Sequence, residues 1–135
     1  FGTPAMRAVF DDRELIRKFV QVEVALAAAE ARCGVIPAAA ARDIAARCTA
    51  EALDVGLLQR ETEIVGYPIL PLVHQLARQA GDAGRYVHWG ATTQDIMDTA
   101  VVLQLRDAFD LVEADIADLR RILAGLAWKH RGTPM

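Results

Sequence analysis

An all-α fold is what this sequence predicts, and three observations predict it. Apolar side chains recur at steps of three and four along the long segments. The hydrophobic share is 53% but aromatics make up only 6%. Alanine and aliphatic side chains must therefore fill the core, a composition that favours helices. No alternating pattern of convincing length marks a strand, apart from a short extended piece at residues 85–88.

The elements follow in order. FDDRELIRKFVQVEVALAAAEARCG reads as one helix, capped by Asp11, with Glu14 as the reciprocal partner of a capping box. Leu15, Phe19, Val22, Leu26, Ala29 and Cys33 form its apolar stripe, and Gly34 stops it. Pro37 opens a second helix that runs towards Cys48. AEALDVGLLQRETEIVG reads as a shorter helix, bent near Gly56 and ending before Gly66. Pro68 discourages helix at Tyr67, while Pro71 sits in the first turn of another helix that ends at Gly81. GDAG is a turn.

From Thr93 to about Lys129 the chain reads as one long helix with no proline in it. Val102, Leu105, Phe109, Val112, Ile116, Leu119, Leu123 and Leu126 step by three and four without a break, a heptad-like seam. At about 1.5 Å per residue the helix is roughly 55 Å long. Such a helix needs partner helices beside it. Arg106 and Asp110 are spaced for an ion pair along it. The reading divides the chain into an N-terminal helical domain, residues 1–91, and the first long helix of a bundle, residues 92–135. The first residue is Phe1 and the last residues are RGTPM, which reads as a piece of a longer protein.

Composition narrows the function classes. The net charge is -3, the pI is about 5.6, and no basic block offers a nucleic-acid footprint. No apolar run approaches the roughly 20 residues of a membrane span. Cys33 and Cys48 match no disulfide framework, and with three scattered histidines no zinc site is expected. Both cysteines are expected as buried, reduced thiols, which suits a cytoplasmic protein, and no secretory signal is visible.

One stretch resists a packing explanation: RYVHWGATTQD, residues 85–95. It leads into the N-terminus of the long helix, where backbone N–H groups are free and the dipole is positive. Gly90 allows a sharp turn and the close approach of a ligand. One of Thr92 and Thr93 caps the helix, Asp95 closes the first turn, and the other hydroxyl is spare. His88 adds a donor or a proton shuttle, and Arg85 adds a cation. TTQD alone is what an ordinary cap looks like; the whole cluster in one turn is also a ready carboxylate or phosphate site.

At these residues the sequence resembles the fumarase/aspartase superfamily, which includes the adenylosuccinate lyases, the argininosuccinate lyases and the 3-carboxy-cis,cis-muconate cycloisomerases. GATTQDIMDTA, residues 90–100, is similar to the superfamily's first signature region at the start of a long central helix. The likeness is closest to the cycloisomerase branch, through RYVHWGATTQDIMDTAVVLQLRDAFDLVEADI and, nearer the N-terminus, PAMRAVFDDRELIRKFVQVEVALAAAEARCGVIP. The resemblance implies an all-α homotetramer with active sites shared between subunits. It further implies a small di- or tricarboxylate substrate and no metal or organic cofactor. Thr92 and Thr93 would bind a substrate carboxylate, Gln94 and Asp95 would shape the loop, and His88 would lie near the substrate. Tyr67 and Pro68 would line the pocket. The main base and acid belong to later signature regions that this chain lacks, so the chain alone is expected to be inactive. The implied chemistry is proton transfer beside a carboxylate, with charge developing on that carboxylate, where preorganised donors at a helix N-terminus act best. In a cycloisomerase the substrate's own carboxylate closes a lactone.

Four positions depart from the pattern. Thr62 and Glu63 stand where the adenylosuccinate lyases carry a His-Asp pair, Thr93 stands where serine is commoner, and Trp89 is bulky for its place. The leading expectation is therefore a cycloisomerase segment, the second a lyase of adenylosuccinate or another dicarboxylate. The third, from another class, is a non-catalytic helical oligomerisation module, which accounts for the seam but leaves the 90–95 cluster unexplained. His74 reads as a surface or packing residue, His130 as a helix-end charge, and Glu63 as a solvated one.

Overall fold

A computed structural model describes residues 2–134, and every regular element among them is helical. The order is α1 (Pro4–Val9), α2 (Asp12–Arg32), α3 (Ala38–Arg47), α4 (Val55–Val65), α5 (Ile69–Ala80), a 3-10 turn (Gly81–Tyr86) and α6 (Thr93–Lys129). No helix among the described residues is long and apolar enough to cross a membrane.

Sequence logic explains most of the boundaries. Asp11 caps α2, accepting from Arg13 N–H at 2.9 Å. The reciprocal half of the expected box is replaced. Glu14 turns along the helix to Arg17 at 3.0 Å and Lys18 at 3.4 Å, because two cations one turn on compete for its carboxylate. Asp54 caps α4 by accepting from Leu57 N–H, which puts Gly56 in the first turn rather than at a mid-helix bend. The expected extended piece at 85–88 is instead the end of the 3-10 turn followed by an extended Val87 and a left-handed His88. α1 is a further short helix, with Thr3 as its cap.

The core lies where α2, α3, α5 and the start of α6 meet: Phe19, Ile44, Leu72, Leu76, Ile96 and Ala100 are among its members. Two glutamines of α5 fasten the irregular segment ahead of α4. Gln75 exchanges hydrogen bonds with the backbone of Asp54 at 2.8 and 3.1 Å, and Gln79 does the same for Thr49 at 2.8 and 3.3 Å. The 3-10 turn presses onto α5 at Gly84, where a Cβ would stand 2.2 Å from the Ala77 carbonyl oxygen, so only glycine fits. Cys48 is buried and donates to the Leu76 carbonyl, and burial pushes its thiol up to about 11. Cys33, expected inside, is exposed, because it caps α2 where the chain turns away from the core.

α6 runs from Thr93 to Lys129, as its periodicity predicts, but its two halves differ. Ile96, Ala100, Gln104 and Ala108 are buried at i, i+4 spacing against α1 and α2. The buried Lys18 of α2 pairs with Asp107, and Gln104 Nε2 donates to the Val9 carbonyl at 2.8 Å. From residue 112 onward every described side chain of α6 is exposed. The apolar seam from Val102 to Leu126 lies on another face and is exposed throughout. Arg106 has Asp107 as its acidic neighbour, at 3.9 Å, in place of the expected Asp110.

Candidate functional site at the start of the long helix

The site is built where the loop of residues 87–92 joins α2 and the start of α6. Gly90, at φ 69°, reverses the chain ahead of α6. Thr92 is the N-cap and closes a capping box with Asp95, whose Oδ2 accepts from Thr92 N–H at 2.9 Å. Gln94 Nε2 donates to Asp98, and Thr99 Oγ1 donates to the Asp95 carbonyl at 2.6 Å. The Thr93 and Gln94 N–H groups stand in the first turn of a 37-residue helix, where no intrahelical acceptor precedes them. Asp95 offsets part of the helix-end charge, so an anion bound here gains from a nearby cation.

His88 is placed to supply that charge. Its Nδ1 lies 2.6 Å from Glu23 Oε1, and Glu23 is 2% exposed in the middle of α2. The Glu23 hydrogen bond, opposed by burial, raises the His88 imidazole above its ordinary value, and Asp95 and Glu30 act in the same direction. His88 is also the one non-glycine at positive φ among the described residues, at 61°. That conformation costs roughly 1–2 kcal/mol and persists only where the surroundings enforce it. Glu30, two turns from Glu23 on α2, has its carboxyl pushed up by burial and by the Glu23 charge. One carboxylate oxygen of each, Glu23 Oε2 and Glu30 Oε2, is buried without a hydrogen-bond partner among the described residues.

Beside the turn runs a groove of about 520 Å³ between α2 and α6, lined by Val22, Leu26, Gly90, Ala91, Asp95 and Thr99 among others. A carboxylate at the helix start would sit at its polar end, with apolar walls for a carbon skeleton. A smaller groove of about 340 Å³, on α2 near Arg13, Arg17 and Glu51, holds none of the candidate residues.

The structure therefore brings together His88, Gly90, Thr92, Thr93, Gln94 and Asp95. Arg85 lies over the Tyr86 ring, 4.9 Å from its centroid, and Tyr67 is exposed between α4 and α5. No hydrogen bond joins either to the 90–95 turn among the described residues. Thr62 Oγ1 donates to the Leu58 carbonyl at 2.7 Å and Glu63 is exposed beside Gln59, and neither hydrogen-bonds to the turn among the described residues. Sequence reading missed Glu23 and Glu30. The signal was present: two acids seven residues apart, inside the apolar run FVQVEVALAAAEA, share one helix face.

A family model described as "Lyase" matches residues 2–135. The chain is 47% identical over 139 residues to the 3-carboxy-cis,cis-muconate cycloisomerase of Pseudomonas putida, covering all of this chain and 33% of that protein. It is 42% identical over 136 residues to trans-aconitate decarboxylase 1 of Mycosarcoma maydis, covering all of this chain and 28% of that protein. Among solved structures, a fumarate lyase from Mesorhizobium sp. BNC1 superposes with a TM-score of 0.91 at 55% identity, covering 96% of this chain and 31% of that one. The chain thus spans about a third of the length of the relatives it matches. A helix-start turn carrying GATTQD, an all-helical fold and a family match along nearly the whole chain agree: this chain belongs to the lyase family of the fumarase/aspartase superfamily.

Proposed function

We propose that the chain is the N-terminal segment of a 3-carboxy-cis,cis-muconate cycloisomerase, an enzyme of aromatic-compound breakdown in the cytoplasm. The full-length protein adds a substrate carboxylate across a double bond to close a lactone. The observation that carries this reading is the 90–95 turn: free first-turn N–H groups, two threonines and a raised histidine beside a groove with apolar walls. Thr92 and Thr93 hold a carboxylate of the substrate, while Gly90, Gln94 and Asp95 shape the turn. His88 faces the bound anion, and Arg85 and Tyr67 join the pocket when it is completed. Charge that develops on the carboxylate during proton transfer is stabilised by donors already aimed at it. No metal or organic cofactor is assigned.

In this proposal residues 1–91 form the N-terminal domain and residues 92–135 begin the central bundle. The exposed seam of α6 packs against long helices in a homotetramer, and each site draws the main acid and base from signature regions outside this segment. The segment alone is then inactive. The second reading, another dicarboxylate lyase of the superfamily, draws support from the different chemistries named among the relatives. Thr62 and Glu63 weigh against its adenylosuccinate form, since they stand where that branch carries a His-Asp pair.

The test is the full-length protein with 3-carboxy-cis,cis-muconate, following the ultraviolet absorbance of the conjugated diene. Rapid loss is expected. No loss with a correctly assembled protein overturns the cycloisomerase assignment, and adenylosuccinate is the next compound to try.

A further inference from the structure

The buried Glu23–His88 pair is the least ordinary feature that helix packing leaves unexplained. An acid that is 2% exposed on α2 meets an imidazole from 65 residues further along the chain at 2.6 Å. Its second oxygen, Glu23 Oε2, has no hydrogen-bond partner among the described residues. A carboxylate is costly to bury and is kept only where it is paired or used. His88 holds a left-handed backbone, and its side chain is 18% exposed against 1% for that of Glu23.

We infer that Glu23 is the positioning residue of this site, fixing His88 by its Nδ1 so that the imidazole presents Nε2–H to the carboxylate bound at the 90–95 turn. A carboxylate can only accept, so the proton of their contact sits on Nδ1. The two ring nitrogens point to opposite sides of the ring. With Nδ1 turned to an acid in the core, Nε2 is the nitrogen left for a ligand, on a side chain that keeps some exposure. Only Trp89, Gly90 and Ala91 separate His88 from the N-cap Thr92, so this nitrogen and the first-turn N–H groups serve one anion. The acids facing the imidazole are Glu23 and Glu30 from α2 and Asp95 from α6; Cys48, just after α3, lies in the field of Glu23. All three acids favour the charged ring, which offsets the negative charge Asp95 brings to the turn. The inference rests on the reading of that turn as the carboxylate site.

Two readouts on the full-length protein keep its failure apart from the failure of the cycloisomerase assignment. The first needs no substrate. Diethylpyrocarbonate acylates neutral imidazole, so the pH dependence of modification at the His88 peptide, read by mass spectrometry, reports that residue's proton. In the wild type the midpoint is expected above the ordinary histidine value of about 6.5. Glu23→Gln, which keeps the shape and removes the charge, is expected to lower it by about one pH unit or more. A wild-type midpoint at or below the ordinary value overturns the inference even if the variant fails to fold, and so does a folded variant with an unmoved midpoint. The second readout is turnover of 3-carboxy-cis,cis-muconate. Glu23→Gln is expected to reduce kcat/KM about tenfold or more and to move the limb of its pH profile that follows His88 to lower pH. Unchanged kcat/KM and pH profile overturn the positioning role. If the wild type consumes none of the compound, the substrate assignment falls and the inference is decided by the acylation midpoints.

Discussion

The two halves of α6 obey the same helical periodicity and meet opposite environments. The first half buries Ile96, Ala100, Gln104 and Ala108 against the domain, and two of these are alanines that let α1 and α2 come close. The second half carries larger apolar side chains, Ile116, Leu119, Leu123 and Leu126, and buries none of them. The contrast separates two tasks. Small residues line the face that packs on the domain, whereas the bulky seam lies exposed on another face. In the proposed tetramer the near half builds the site and the far half completes the assembly.

The contrast can be broken most strongly at the seam. Ile116→Asp with Leu123→Asp in the full-length protein is expected to abolish the tetramer by analytical ultracentrifugation, while Arg120→Ala, off the seam, leaves the mass unchanged. A tetramer that survives both aspartates would detach the seam from assembly. In the core that the first half of α6 packs on, Leu72→Ala in α5 removes a side chain that is 0% exposed and is expected to cost about 2–5 kcal/mol in denaturant unfolding, depending on how far the site collapses. Asp95→Ala removes one arm of the capping box and is expected to cost about 1 kcal/mol. A cost near zero would show that packing alone sets the start of α6.

The smallest expected effect is a pH slope. His88 and Glu30 both hold their protons more tightly in the folded state, the first through Glu23 and the second through burial. The His88 contribution is full below the ordinary histidine value of about 6.5 and is lost as pH rises through its raised value. The Glu30 contribution is lost at lower pH, as pH rises through its raised carboxyl value. Denaturant midpoints of the wild type should therefore fall across neutral pH, and Glu23→Gln should flatten that part of the curve. Parallel curves would remove the pair from the stability balance.

Much of the fold is legible in the sequence because its signals are local. Asp11 as a cap and the 37-residue run of α6 need no knowledge of the rest of the chain. The turn is legible for the same reason: Gly90, Thr92 and Asp95 are close neighbours whose geometry follows from their own chemistry. The buried face of α6 is not. Its apolar seam outweighs Ala100 and Ala108 in any pattern of hydrophobicity, yet those small residues are the ones the domain covers. Glu14 shows how a cap motif yields to competing cations. Cys33 shows that residue type does not decide burial at a helix end. The Glu23–His88 pair is invisible for another reason, since its partners are brought together only by the packing of α2 on the segment ahead of α6.

The central claim is that the threonines of the turn hold the substrate's carboxylate. Its most direct test is Thr92→Val with Thr93→Val in the full-length protein, assayed by the loss of diene absorbance with assembly checked in parallel. Two lost hydrogen bonds to a charged group, each worth about 1.5–3 kcal/mol, predict a fall in kcat/KM of about a hundredfold or more in an intact tetramer. Turnover within a few-fold of the wild type, in a protein that assembles normally, would contradict the account.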